Sequence, residues 1–301
     1  MRLRVFPCMI LATVPLFSGG CSTAIKTTTV VAPGTKPVVR NATREELIAS
    51  YQEMVRKVGT VNATVDLQPT TGSQYSGVIE EYHQVKAFLL ARRPALVRMV
   101  GQAPVIGTTI FDMASNAETF RVHIPSKQKF LVGAIALERS SKKPIENLRP
   151  QHLLDALLWP EMDPKDHVLL EEFNDESGRY YILTVLHGAD TPEIARKIWY
   201  DRATLQASRL VTYGPGGTLV SDVRVSDWQP LEQSAGSAAG ELPAAFPRRI
   251  QIARPHDDYQ IDLHISKLAV NTEIPAERFE LPQPPGTELV RVGANQEEKK
   301  P

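Results

Sequence analysis

Side chains able to do acid–base, nucleophilic or metal chemistry are present in this chain, but no familiar spacing assembles them. The seven histidines are His83, His123, His152, His167, His187, His256 and His264. No two pair at a metal-ligand spacing, and no H-E-x-x-H motif occurs. His123 and His264 fall on polar faces of predicted strands, and His83 lies in the polar first half of another, so all three read as solvated. The doublets Glu80-Glu81 and Glu171-Glu172 carry the right groups for general acid–base work. Adjacent strand residues face opposite sides, so neither doublet can share a site. No G-x-S-x-G elbow, P-loop or dinucleotide fingerprint is present. The run Gly214-Pro215-Gly216-Gly217 lies between two strands and reads as a hairpin turn. The expectation is a protein with no catalytic residue, no metal and no cofactor.

Charge narrows the classes further. Lysine plus arginine and aspartate plus glutamate both number 34, so the formal net charge is zero. A nucleic-acid binder would carry a basic face, and none is indicated. The 42% hydrophobic content suffices for a sizeable core. The two cysteines are Cys8 and Cys21. With Cys8 in an N-terminal leader, the mature chain has no partner for a disulfide and no thiolate set for zinc.

That leader is legible. Arg2 and Arg4 form a basic start, and residues 5–17 are apolar but too short to span a bilayer. Ser18-Gly19-Gly20-Cys21 resembles the lipobox of bacterial lipoproteins, with Ser18 where that pattern prefers leucine. The expectation is a signal peptide over residues 1–20 and a lipidated Cys21, the alternative being ordinary cleavage near Gly20. Residues 21–42 then read as a Thr-, Val- and Pro-rich tether, able to reach roughly 60 Å if extended. A single domain is expected over residues 43–283, and a patternless tail over 284–301.

The elements of that domain follow from periodicity. Thr43 and Glu46 fit a capping box, and Leu47, Ile48, Tyr51, Met54, Val55 and Val58 form the apolar stripe of a helix that Gly59 ends. A strand over 61–67 is followed by a turn at Pro69–Gly72, then by short β-type runs at 78–90, 95–100, 108–113, 119–124 and 129–132. Such close spacing favours an antiparallel meander. A second, leucine-rich helix follows Arg149-Pro150, with Leu153, Leu154, Leu157 and Leu158 on one face and Trp159-Pro160 as its stop. Strands return at 168–173, 180–186, 194–201, 205–213 and 219–228. An Ala/Ser/Gly-rich loop over 232–245 precedes a last hairpin, 249–253 with 259–270.

Two of the runs are apolar on both faces. Phe88 and Leu90 oppose Val85, Ala87, Leu89 and Ala91, while Val97 and Met99 oppose Leu96 and Val100. A meander with a solvated back should alternate apolar with polar. Something therefore covers the second face: a helix, a second sheet or an apolar ligand.

This order of elements behind a lipoprotein-type leader resembles the LolA/LolB lipoprotein-localisation family over about residues 43–283. Three stretches carry the resemblance: residues 97–109 with their Pro-apolar-Gly loop, the helix at 153–159, and the hairpin within 247–268. It implies a mainly β (α+β) fold: an unclosed antiparallel half-barrel, with an N-terminal helix and a short leucine-rich lid helix over an apolar cavity. Phe88, Leu90, Val97, Met99, Leu153, Leu154, Leu157 and Leu158 become candidates for cavity and lid. Val105 and Ile106 become a candidate loop for touching membrane or cargo. The implied partners are acyl chains of lipids or lipoproteins, the outer membrane through Cys21, and a periplasmic carrier protein, with the folded body in the periplasm. A lipid sensor or scaffold that binds a partner without transfer is the competing class.

Overall fold

The computed structural model describes residues 38–73, 78–81, 83–135, 147, 149–231 and 244–292. The expected leader, Cys21 and most of the expected tether lie outside them, as do most of the expected loop at 232–245 and the residues beyond 292.

Helix α1 (Arg44–Lys57) starts where the capping box places it. The Thr43 hydroxyl accepts from the Glu46 amide at 3.2 Å, and the Glu46 carboxylate accepts from the Thr43 amide at 2.7 Å. Glu45 and Glu46 in its first turn and Arg56 and Lys57 in its last suit the helix dipole. Helix α2 (Pro150–Leu157) begins on a proline whose missing N–H costs nothing at that position.

Fifteen strands form one sheet: β1 (Thr60–Ser73), β2 (Val78–Glu81), β3 (Val85–Arg92), β4 (Leu96–Gln102), β5 (Thr109–Ser115), β6 (Thr119–Ile124), β7 (Lys129–Ala134), β8 (His167–Asn174), β9 (Arg179–His187), β10 (Glu193–Asp201), β11 (Ala207–Gly214), β12 (Thr218–Pro230), β13 (Ala245–Arg254), β14 (Tyr259–Val270) and β15 (Glu288–Val292). Their order is β15-β7-β6-β5-β4-β3-β1-β14-β13-β12-β11-β10-β9-β8, with β2 added to β1. Every pair is antiparallel except β15 on β7. The two end strands do not pair with each other, so the sheet is unclosed, as the resemblance implies.

Both helices lie against one face of this sheet, here the inner face. Leu47, Tyr51 and Val55 of α1 and Leu153, Leu154 and Leu157 of α2 share one buried cluster with β1, β3 and β4 and with β9 to β14. The inner face is tightly fitted. A Cβ on Gly101 would meet the Phe111 ring at 2.3 Å, and one on Gly133 would meet Phe120 at 2.6 Å. Each glycine is the cross-strand partner of that aromatic and lets the ring lie over the backbone.

Three expectations are corrected. The run at 78–90 is two strands, β2 and β3, and not one. The chain does not turn at Pro69–Gly72; β1 continues to Ser73, paired with β14 as far as Thr71↔Tyr259. Pro69 is tolerated because its neighbour on one side changes there, from Leu67↔Val85 in β3 to Thr70↔Glu81 in β2. Nor is the chain patternless from 284: Glu288–Val292 is β15.

A segment outside the predicted elements covers part of the outer face. After β14, residues 271–287 cross the back of the β3–β7 region before entering β15. Three outward arginines hold their backbone. Arg92 donates to the Ile274 carbonyl at 2.6 Å, and Arg98 to those of Arg278 and Glu280 at 3.1 Å each. Arg121 reaches the Leu281 carbonyl at 3.4 Å. Phe279 is buried beneath the Arg92 guanidinium, and Leu281 packs with Ala114 and Phe130. This strap is one answer to the doubly apolar strands.

Candidate functional site

Alternation along β3 and β4 sorts the candidate cavity residues. Val97 and Met99 point inward and are fully buried. Phe88 and Leu90 do not join them. The inward residues of β3 are Val85, Ala87, Leu89 and Ala91, which leaves Phe88 on the outer face, 44% exposed, and Leu90 beside it, half-buried. A period of two cannot tell inside from outside when both faces are apolar. The small side chains Ala87 and Ala91 went to the helix-covered side, and the large Phe88 did not.

Leu153, Leu154, Leu157 and Leu158 are all buried, and α2 packs on β4, β5 and β13. The far end of this cover is held through backbone oxygens. Arg93 donates to the carbonyls of Val58 at 3.0 Å and Trp159 at 2.8 Å, tying both helix ends together. The Tyr51 hydroxyl donates to Pro160 O at 2.6 Å, and Arg196 reaches the carbonyls of Pro160 and Glu161, both at 3.1 Å. Where α1, α2, β12 and β13 meet, Val55, Ala156, Leu157, Trp159, Trp228 and Phe246 surround a crevice of about 20 Å³. That is room for a water molecule and not for an acyl chain.

The near end of α2 is polar, and no spacing of residues along the chain points to it. His152 makes a hydrogen bond with the Tyr259 hydroxyl, their rings stacked with centroids 6.0 Å apart. Arg254 donates to Asp257 at 2.6 Å in the β13–β14 turn, and the Asn147 side chain donates to the Asp257 carbonyl at 3.2 Å. Arg149 lies over the Phe120 ring at 4.4 Å. Burial first, then the neighbouring Arg254 and Arg149, hold the His152 imidazole down at about 3, against the pull of Asp257. Burial raises Tyr259, and the crowding of surrounding protein raises Asp155, although its side chain reaches solvent, against the hydrogen bond from Gln151. The imidazole is therefore neutral at ordinary pH and fills a polar gap under the helix.

Val105 and Ile106 stand in solvent, 95% and 77% exposed. Gly107 N closes their turn on Ala103 O at 3.0 Å with a positive φ of 66°. They follow the end of β4, where Gln102 faces Lys86 at the start of β3. The Thr71↔Tyr259 pair lies at this same end of the sheet, and with it His152. The polar end of α2 reaches across the inner face, from Tyr259 of β14 to Phe120, whose partner Ser115 pairs with Val97 at the start of β4.

The other chemistry-bearing residues do structural work. Glu171 accepts from Thr184 at 3.0 Å and Lys197 at 3.1 Å, while Glu172 pairs with Arg202 at 2.7 Å. The doublet faces opposite sides, as read from sequence. His83 and His264 are exposed and His123 is half-buried. Among the described residues no group of three His, Cys, Asp or Glu is placed to hold a metal, and no helix is long and apolar enough to cross a membrane.

No protein-family model and no curated protein matches the chain. Among solved structures, a LolA-superfamily protein of Nitrosomonas europaea is similar, with 13% identity, 80% of this chain and 99% of that one covered, and a TM-score of 0.47. A DUF1329-family protein of Desulfovibrio piger follows at 14%, with 77% and 94% covered and a TM-score of 0.49. An outer-membrane lipoprotein-sorting domain of Vibrio parahaemolyticus gives 11%, 77%, 95% and 0.47. One of the three carries the LolA name and one the lipoprotein-sorting name. At such figures no activity is carried from them to this chain.

Proposed function

We propose that the protein is a lipid-anchored, non-enzymatic binder of acyl chains that carries or accepts lipids or lipoproteins at a bacterial outer membrane. The observation that carries this reading is a short helix closing an apolar face in a sheet that also holds an apolar tip standing in solvent. An eight-residue helix has little stability of its own and keeps its place by packing. In this reading a chain enters by displacing α2, with its methylenes replacing the leucine contacts at about 0.8 kcal/mol each. Val105 and Ile106 would meet the bilayer or the cargo during release, a contact too small to anchor the protein. Anchoring falls to Cys21.

The test is transfer of a fluorescent fatty-acyl probe from the purified protein to liposomes. Val105→Glu with Ile106→Glu should leave folding and probe binding unchanged, because both side chains are exposed, and should reduce the transfer rate at least tenfold. Undiminished transfer makes the loop only a turn. Binding without transfer in the unaltered protein favours the sensor class, and no binding at all ends the acyl reading.

A further inference from the structure

Strand β8 ends the sheet, and among the described residues nothing pairs with its outer side. Proteins normally blunt such an edge with proline, lysine or a free charge. Here the eight residues His167–Asn174 contain neither proline nor lysine. Both carboxylates are already tied to the body, Glu171 to Lys197 and Glu172 to Arg202. Leu169 and Phe173 are 55% and 45% exposed.

The occupant can be argued from register. Two copies meeting across a two-fold axis perpendicular to the sheet pair antiparallel and keep their faces aligned. Facing residue numbers must then sum to an even value, which leaves few choices. Centring on Glu171 sets Glu171 against its own copy, and like charges directly opposite are unfavourable. Centring on Leu170 sets Leu169 against Glu171 and Val168 against Glu172. Centring on Leu169 sets Leu169 against itself, Val168 against Leu170, and the His167 imidazole against the Glu171 carboxylate. Only this register matches apolar with apolar and base with acid along the strand.

We propose that this edge is a dimer interface: β8 pairs antiparallel with β8 of a second copy, with Leu169 on the two-fold axis. Directly opposed antiparallel residues have Cα atoms about 4.5–5.5 Å apart, within disulfide reach. The experiment uses the full chain with Cys8→Ser and Cys21→Ser, so that only an introduced thiol can cross-link. Under mild oxidation Leu169→Cys should link to itself in most of the protein. Glu171→Cys should not link to itself, but should link when mixed with His167→Cys. Sedimentation of the parent should show a dimer that Leu169→Lys converts to monomer, while Phe88→Lys, an exposed control on β3, leaves it intact. Circular dichroism checks that each variant folds. A monomeric parent, a dimer indifferent to Leu169→Lys, or self-linking of Glu171→Cys as strong as that of Leu169→Cys overturns the proposal.

Discussion

The sheet has two covers, and they are held by a different balance of forces. On the inner face, α1 and α2 contribute large apolar side chains, with Leu153, Leu154, Leu157, Leu158 and Trp159 all buried. On the outer face, the strap of residues 271–287 hangs from Arg92, Arg98 and Arg121 by its own carbonyl oxygens. Apolar burial has no direction and tolerates sliding or exchange of the buried group. Hydrogen bonds from a planar guanidinium to fixed carbonyls do not. The leucine face of α2, held by burial, is thus suited to exchange, whereas the C-terminal end of α2, fixed by Arg93 and Arg196, and the strap are suited to staying put.

The largest way to break this contrast is Leu153→Ala. The side chain is almost wholly buried, so the loss should be about 2–5 kcal/mol, read as a lower urea midpoint. Hydrogen exchange should rise first in α2 and not in the strap.

Acid should loosen the inner cover next. The unfolded chain protonates His152 near its ordinary value of 6.5, and the folded one only near 3. Stability is therefore intact above pH 6.5 and falls as the pH drops through this window, at about 1.4 kcal/mol per unit. On the order of 2–3 kcal/mol is lost by pH 4.5. Asp155, raised by the surrounding protein but reaching solvent, works weakly in the opposite sense, because the folded state takes its proton earlier than the unfolded chain does. The measurement is accordingly the difference between the parent and His152→Gln across pH 7.5 to 4.5. An identical pH profile for both would remove His152 from the account.

The smallest effects compare two arginines. Arg98 grips Asp112 with two nitrogens and two strap carbonyls besides. Arg98→Ala should cost about 2 kcal/mol and raise exchange over residues 274–281. Arg249, half-exposed on the uncovered back of β13, binds only Asp262. Arg249→Ala should leave the urea midpoint nearly unchanged. Equal costs would mean that the strap contacts add nothing.

The same contrast decides what could be read from sequence. The helices were legible because burial writes a period: Leu47, Tyr51 and Val55 on α1, the leucines on α2, and the capping box at Thr43. Most strands were legible for the same reason. The strap left no such trace, since its fixing points are backbone oxygens and any residue supplies those. Nothing in their spacing sets Arg92, Arg98 and Arg121 apart from other polar strand residues. The His152 cluster was equally silent, because Arg254, Asp257 and Tyr259 join it through the fold and not through spacing. Phe88 and Leu90 were placed on the wrong side, the one error that double-sided apolarity makes unavoidable. Val105 and Ile106 were visible as an anomaly, and their exposure decides between the core and the surface.

The position of β1 has a consequence for how the chain reaches its native state. β3 to β7 form a run in sequence order, and so do β8 to β14; each can zip from hairpin to hairpin as it is made. β1 joins the two runs, pairing Val61 with Val270 on one side and with Ala91 on the other. The first strand synthesised therefore waits for almost the last. Contacts of such long range are slow to form, so the two runs fold first and the seam between β1 and β14 closes late. Until then the apolar edge of β1 is open along Val61, Ala63, Val65 and Leu67, and the half-made sheet is at its most vulnerable to misassembly.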